Sequence, residues 1–172
     1  MQKIRTGLIG CGKVGRLVAG FALGMDMKVL AYDVATDPAF KPSPDFRFAS
    51  LEEVLAQSHV ISLHCPALSE GKALIDAAAL AKMRKGVFLI NTARADLIDA
   101  TALAAALQCG QVAGAAMDVF KTEPPEGDLL AGSDRVVATP HLGGFTDESV
   151  DRAVEVAVDN LISELDKTKT ET

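Results

Sequence analysis

Residues 7–15 read Gly-Leu-Ile-Gly-Cys-Gly-Lys-Val-Gly, and residues 27–33 read Met-Lys-Val-Leu-Ala-Tyr-Asp. A short apolar run leads into the glycines, and a helix-like stretch separates the two segments. The second segment ends on an acid, Asp33, eighteen residues after Gly15. This order of strand, glycine turn, helix, strand and acid predicts a βαβ unit that binds a dinucleotide.

Each glycine of the turn has a physical role in such a unit. Gly10 permits the tight turn, Gly12 lets the backbone approach a pyrophosphate, and Gly15 lets the helix pack closely on the strand. The amides around Lys13 and Val14 open the helix, so they would point at the phosphates with the helix dipole behind them. The turn therefore predicts a pyrophosphate site made of main-chain groups.

Size and charge narrow the class of protein. The chain has 172 residues, of which 49% are hydrophobic, which suits one domain with a substantial core. A net charge of −6 and scattered basic residues argue against a nucleic-acid surface. No apolar run approaches membrane-spanning length, so we expect no membrane anchor.

The three cysteines are odd in number and show no paired metal spacing. We therefore expect no metal site, and reduced thiols of the kind found in a cytoplasmic protein.

Short apolar strands alternate with helices along the rest of the chain. We predict strands at Phe46–Phe48, Val60–Leu63, Val87–Ile90, Val112–Met117 and Val136–Ala138. Helices are expected after Ser50, from Ile75 to Met83, from Asp99 to Gly110, and from Asp147 to Leu165. This alternation predicts a single α/β domain over residues 1–172, with a Rossmann-type, doubly wound parallel sheet of about seven strands and helices on both faces. Ligands should collect at the carboxyl ends of the strands.

Polar residues follow three of these strand ends. The segments are Asn91-Thr-Ala-Arg94, Asp118-Val-Phe-Lys-Thr-Glu123 and Thr139-Pro-His-Leu-Gly-Gly144. An arginine such as Arg94 can hold a carboxylate and polarise a carbonyl, and His141 can transfer a proton at neutral pH. A carboxylate such as Glu123 can orient the imidazole and favour its protonated form.

Each of these residues also has a simpler interpretation. Arg94 could be a surface arginine near a helix start, and Glu123 an ordinary loop acid before two prolines. His141 is harder to explain in this way, because loop residues at strand ends are often functional. His59 and His64 have no comparable setting, and we do not expect either to be catalytic.

The order and spacing of these motifs, together with Leu63-His-Cys-Pro66, resemble the cofactor-binding domain of the D-isomer-specific 2-hydroxyacid dehydrogenases. The resemblance extends from about Ile4 to Leu165. It implies that Arg94 binds the substrate carboxylate and carbonyl, that His141 is the acid/base, and that Glu123 is its partner. The implied cofactor-binding residues are Gly10, Gly12, Lys13, Val14, Gly15, Asp33, Cys65, Thr92, Ala93, Arg94, Asp118, His141, Gly143 and Gly144.

The expected cofactor is NAD rather than NADP. Asp33 would accept hydrogen bonds from the adenosine ribose and would repel a 2′-phosphate. The next residues, Val34-Ala35-Thr36, provide no arginine to receive that phosphate. The substrate would be a small 2-oxo or 2-hydroxy acid, and the resemblance also implies a homodimer.

Some features depart from the family pattern. Ala95 stands where a glycine is common, and Ala67-Leu68-Ser69 replaces the usual Leu-Thr-Pro. Family members also fold a separate substrate domain from segments that precede the glycine turn and follow the last helix, whereas Met1 stands three residues before the first predicted strand. We therefore expect the substrate domain to be absent, and NADH binding without efficient turnover.

Other functions remain open at this point. A non-catalytic NAD(H)-responsive module, as in the corepressors that share this domain, would use the same glycine turn. A methyltransferase would explain neither Arg94 nor the turn at His141. A short-chain dehydrogenase is excluded more firmly, because the only tyrosine, Tyr32, lies inside a predicted strand.

Overall fold

The computed structural model describes residues 3–68 and 71–170, so Met1 and Ser69 lie outside the described residues. The strands are β1 (Arg5–Ile9), β2 (Lys28–Tyr32), β3 (Phe46–Phe48), β4 (Val60–Leu63), β5 (Val87–Asn91), β6 (Val112–Met117) and β7 (Val136–Ala138). All neighbouring strands pair in parallel, in the spatial order β3-β2-β1-β4-β5-β6-β7. The order reverses between β1 and β4, which is the doubly wound arrangement expected of a Rossmann-type fold. The predicted fold class is confirmed.

The helices are α1 (Lys13–Gly24), α2 (Leu51–Gln57), α3 (Ala77–Lys82), α4 (Ala100–Gln108) and α5 (Asp147–Thr170). Side chains cap three of them, because Ser50, Asp76 and Asp99 each accept a hydrogen bond from the amide three residues on. The cap at Asp76 places the start of α3 at Ala77 rather than at the predicted Ile75. Ile75 is buried and pairs instead with Ile98.

The core lies on both faces of the sheet. Successive residues of a strand point to opposite faces of the sheet, so Leu8 and Ile9 of β1 belong to different core clusters. Leu8 packs in a cluster that includes Ala19 and Ala22 of α1, whereas Ile9 packs with side chains from α2, α3 and α4. The predicted helices on both faces are therefore present, and they hold the carboxyl ends of the strands in a fixed frame.

The described residues form two compact units, one ending at Pro140 and one beginning at His141. The first contains the whole sheet and helices α1 to α4. The second begins with a short 3₁₀ turn at Leu142–Gly144 and continues into α5. Across residues 3–68 and 71–170, no helix combines the length and apolarity needed to cross a membrane.

A buried hydroxyl lies under the first strand. The Ser58 side chain is fully buried, and its Oγ has no hydrogen-bond partner among the described residues. A Cβ added at Gly7 would lie 2.3 Å from that oxygen, so the serine sits directly against the β1 backbone. A buried polar group without a partner costs free energy that a methyl group would not.

We therefore predict that Ser58→Ala raises the free energy of unfolding by about 1 kcal/mol, measured by urea denaturation. Ser62→Ala is the matched control, because the Ser62 hydroxyl is also buried but lies 2.9 Å from His64 Nε2 in a hydrogen bond. That control should lose stability. Equal losses in the two variants would contradict the prediction.

Candidate functional site

The glycine turn between β1 and α1 leaves no room for side chains at two of its positions. Gly10 has φ +96°, and a Cβ there would lie 2.6 Å from the His64 carbonyl group. A Cβ at Gly15 would lie 2.2 Å from the Gly10 carbonyl oxygen. Gly12 differs, because nothing lies within 4 Å of the position that its Cβ would take. The turn therefore packs tightly against the protein at Gly10 and Gly15 and leaves space beside Gly12.

The start of α1 offers main-chain donors at this opening. Gly12 is the N-cap, and the first helical hydrogen bond runs from Arg16 N to Gly12 O at 3.0 Å. The amides of Lys13, Val14 and Gly15 therefore have no acceptor within the helix. No acidic side chain stands in the first turn to occupy them. The positive end of the helix dipole thus favours an anionic ligand here.

Asp33 joins the end of β2 to the glycine turn. Its Oδ2 accepts a hydrogen bond from Cys11 N at 2.6 Å, and its Oδ1 accepts one from Ala35 N at 2.9 Å. Each carboxylate oxygen keeps further acceptor capacity for hydroxyl groups. The carboxylate is therefore fixed in place beside the turn.

Arg16 also contacts this turn, a role that the sequence pattern did not predict. Its Nε donates to Cys11 O at 3.2 Å, and its Nη2 lies 3.0 Å from Asp37 Oδ2. Its guanidinium carbon lies 4.6 Å from the centroid of the Phe40 ring. The signal available in sequence was its position one residue after the last glycine, on the first turn of the helix.

Asn91 organises the loop that carries Arg94. This residue is fully buried at the end of β5, where its Oδ1 accepts from Ala93 N at 3.0 Å and its Nδ2 donates to Arg94 O at 2.9 Å. The Arg94 guanidinium is exposed and donates to Ala93 O at 2.6 Å. Sequence reasoning quoted Asn91 within a motif but missed this bracing role, for which the signal was a polar residue closing a buried strand.

The ends of β5, β6 and β7 are linked by hydrogen bonds. Asp118 N donates to Asn91 O at 3.0 Å, and Thr139 N donates to Met117 O at 3.0 Å. The buried Asp118 carboxylate accepts a hydrogen bond from Thr139 Oγ1 at 2.5 Å. The structure therefore brings Asn91, Asp118 and Thr139 together at the carboxyl edge of the sheet.

The remaining predicted reactive residues belong to different compact units, Glu123 to the first and His141 to the second. Glu123 lies in the loop after β6, and its Oε1 accepts a hydrogen bond from Phe120 N at 3.1 Å. His141 is the first residue of the second unit and has a left-handed backbone conformation, with φ 55° and ψ 49°. Its ring packs edge-on against Phe145 at a centroid distance of 6.5 Å.

Burial shifts the pKa values of several other groups. It raises the pKa of the Cys11 and Cys65 thiols, so both stay protonated at neutral pH. It lowers the pKa of His64, and it lowers that of His59 together with the nearby cations of Arg84 and Arg5. His59 Nδ1 accepts a hydrogen bond from Arg5 N at 3.0 Å. Within the described residues, no group of three metal-binding side chains occurs.

Residues 1–143 match the family described as D-isomer specific 2-hydroxyacid dehydrogenase, NAD binding domain. The chain is 40% identical over 156 residues to a hydroxypyruvate reductase from Blautia hydrogenotrophica, an alignment that covers 90% of this chain and 48% of that protein. It is 42% identical over 148 residues to D-3-phosphoglycerate dehydrogenase from Mycobacterium tuberculosis, with 86% and 28% covered. The chain thus spans about half of the first relative's length and less of the second's.

Solved structures agree with this assignment. D-lactate dehydrogenase from Aquifex aeolicus, in complex with NAD and lactic acid, matches with a TM-score of 0.83 and 35% identity, covering 95% of this chain and 54% of that one. The NAD-complexed D-isomer specific 2-hydroxyacid dehydrogenase from Lactobacillus delbrueckii ssp. bulgaricus matches with a TM-score of 0.82 and 32% identity, covering 95% and 53%. The chain therefore belongs to the family of NAD-binding domains of the D-isomer-specific 2-hydroxyacid dehydrogenases.

Proposed function

We propose that this chain holds NAD(H) at the carboxyl edge of its sheet and forms the coenzyme half of an oxidoreductase that interconverts 2-oxo and D-2-hydroxy acids. The observation that carries the proposal is the glycine turn. Gly12 opens onto free space before the α1 amides, and the Asp33 carboxylate is fixed beside the same turn. This arrangement fits a pyrophosphate on main-chain amides and a ribose on a carboxylate.

The cofactor positions are proposed from the family resemblance. The turn from Gly10 to Gly15, with Gly12, Lys13 and Val14, would hold the pyrophosphate, and Asp33 the adenosine ribose. Cys65 would line the site through its backbone. The nicotinamide end is assigned to Thr92, Ala93, Arg94, Asp118, His141, Gly143 and Gly144. Asp118 is suited to accept from the carboxamide, because its carboxylate is already oriented by Thr139.

The reactive roles are proposed for three residues. Arg94 would hold the substrate carboxylate and polarise the C2 carbonyl, since its guanidinium is exposed at the end of a braced loop. His141 would donate the proton to the carbonyl oxygen, with Glu123 as its partner. The residues of the glycine turn and Asp33 would hold NADH, which would supply the hydride for the reaction.

We further infer that residues 1–172 act as one NAD-binding domain and that substrate selection resides in the separate domain that family members use. We also propose a cytoplasmic location, which suits the three free thiols Cys11, Cys65 and Cys109. A homodimer is proposed from the family resemblance. An apolar groove of about 550 Å³ over β4 to β7, where Phe88 and Val137 are exposed, offers surface for association.

The first test is cofactor binding measured by the fluorescence of the reduced nicotinamide. The chain should bind NADH at least about tenfold more tightly than NADPH, and Asp33→Asn should weaken NADH binding about tenfold, because a charged acceptor for the ribose is lost. Asp26→Asn is the control, since it removes an exposed acid at the turn after α1. Equal affinity for NADH and NADPH would overturn the NAD assignment.

The second test concerns turnover. The chain alone should reduce small 2-oxo acids far more slowly than about 10 per second, an ordinary enzyme rate. A fusion that adds the substrate domain of a hydroxypyruvate reductase should restore activity, and His141→Gln should then reduce it by about 10²- to 10⁴-fold. His59→Gln serves as the control histidine. An inactive fusion that still binds NADH would favour a non-catalytic NAD(H)-responsive module.

A third test addresses the loop that carries Arg94. Asn91→Ala should lower the free energy of unfolding by about 2 kcal/mol, because a fully buried amide that makes two hydrogen bonds is removed. Asn160→Ala, at an exposed position of α5, should change stability by less than about 0.5 kcal/mol. Thermal and urea unfolding measure the stability of both variants. An Asn91→Ala variant as stable as the unaltered chain would contradict the bracing role of Asn91.

A further inference from the structure

The loop after β2, residues 34–45, is fastened to α1 through Arg16. The guanidinium pairs with Asp37 at 3.0 Å and lies over the Phe40 ring. Phe40 in turn packs edge-on against Phe46 of β3, with ring centroids 5.1 Å apart. Arg16 is therefore held by a charge and by an aromatic face of the same loop.

Arg16 and Asp33 hold the same residue from two sides. Cys11 O accepts from Arg16 Nε at 3.2 Å, and Cys11 N donates to Asp33 Oδ2 at 2.6 Å. The N and O of one residue are joined by three bonds, so Arg16 Nε and the Asp33 carboxylate lie within about 10 Å of each other. An arginine side chain can cross much of that distance by changing rotamer. A cation thus lies within about 10 Å of the proposed ribose site, although residues 34–36 supply none.

We propose that Asp37 is a second determinant of cofactor choice, because it pairs with Arg16 and so withholds from a 2′-phosphate the cation that could receive it. This inference rests on the proposed binding of the adenosine ribose at Asp33. Sites that accept NADP use an arginine near this position to hold the 2′-phosphate. Here the arginine is present, but its charge is neutralised by a carboxylate of the protein.

Asp37 is well placed for this role. Its Oδ1 accepts a hydrogen bond from Ala39 N at 3.0 Å, so the carboxylate is oriented by its own loop as well as by Arg16. The Ala39 amide, followed by Arg16, lowers the pKa of the Asp37 carboxyl, which is therefore ionised at neutral pH. A simpler possibility is that the pair only anchors the loop, and the two roles differ in their effect on 2′-phosphate recognition.

The test compares two small ligands that differ by one group, adenosine 2′,5′-bisphosphate and 5′-AMP, by calorimetric titration. Asp37→Asn removes the charge but keeps an acceptor for Ala39 N. We expect the variant to bind the bisphosphate about 5- to 20-fold more tightly than the unaltered chain, with 5′-AMP changed by less than about twofold. The gain should shrink at high salt, because the guanidinium and phosphate are partly exposed.

Three further variants identify the cause of the gain. Asp45→Asn removes the same charge from the same loop, but Asp45 pairs with Lys3 at 2.9 Å, so this control should show no gain. Adding Arg16→Gln to Asp37→Asn should abolish the gain. Asp37→Ser, which also leaves an acceptor for the loop amide, repeats the test if the asparagine variant folds poorly.

The outcomes separate this inference from the proposed function. No gain in Asp37→Asn and Asp37→Ser, an equal gain in Asp45→Asn, or a gain that survives Arg16→Gln would each overturn the role of Asp37. Failure of the unaltered chain to bind NADH would count against the proposed function. That result comes from a separate measurement with NADH and does not depend on the titration with adenosine 2′,5′-bisphosphate.

Discussion

The structure depends on how closely the backbone of the glycine turn approaches its neighbours. A side chain at Gly10 would overlap the backbone at the end of β4, and one at Gly15 would overlap the Gly10 carbonyl itself. Because these two positions are bare, β1 and β4 can end side by side while α1 starts directly above them. The point where the strand order reverses is thus also the point where the helix amides become available. The same steric constraint is therefore found where the strand order reverses and where the helix amides, which favour an anion, are free.

The turn is then held in place by charge. Cys11 is buried between Gly10 and Gly12, and its amide and carbonyl are bound by Asp33 and Arg16 respectively. The first bond ties the turn to β2, and the second ties it to α1 and, through Asp37, to the following loop. A carboxylate and a guanidinium thus bind the two peptide groups on either side of the Cys11 Cα. The main-chain atoms of the turn therefore have two independent anchors.

Local pattern was enough to predict most of the fold, and it was less informative about the site. Strand and helix positions follow from apolar periodicity and capping residues such as Ser50 and Asp99, which act within a few residues. The 3₁₀ turn at Ala95–Leu97 was not predicted, since it has no such signal. The Arg16–Asp37 pair spans twenty-one positions, so it depends on how α1 and the loop are placed by the sheet. Asn91 could be quoted as part of a motif, but its two bonds depend on the path of the loop.

The carboxyl ends of β5, β6 and β7 show how the sheet positions polar groups. The parallel ladder does not stop at the last strand residue, because Asp118 N still bonds to Asn91 O and Thr139 N to Met117 O. The loops that follow these strands therefore begin at positions set by the sheet, and the Asn91 side-chain bonds depend in addition on the path of its loop. The Asn91 side chain then donates a hydrogen bond to the main-chain carbonyl of Arg94, and the Thr139 hydroxyl donates one to the Asp118 carboxylate. Polar groups fixed in this way need little rearrangement when a ligand arrives, and preorganisation of this kind is the main contribution that a protein makes to catalysis by electrostatics.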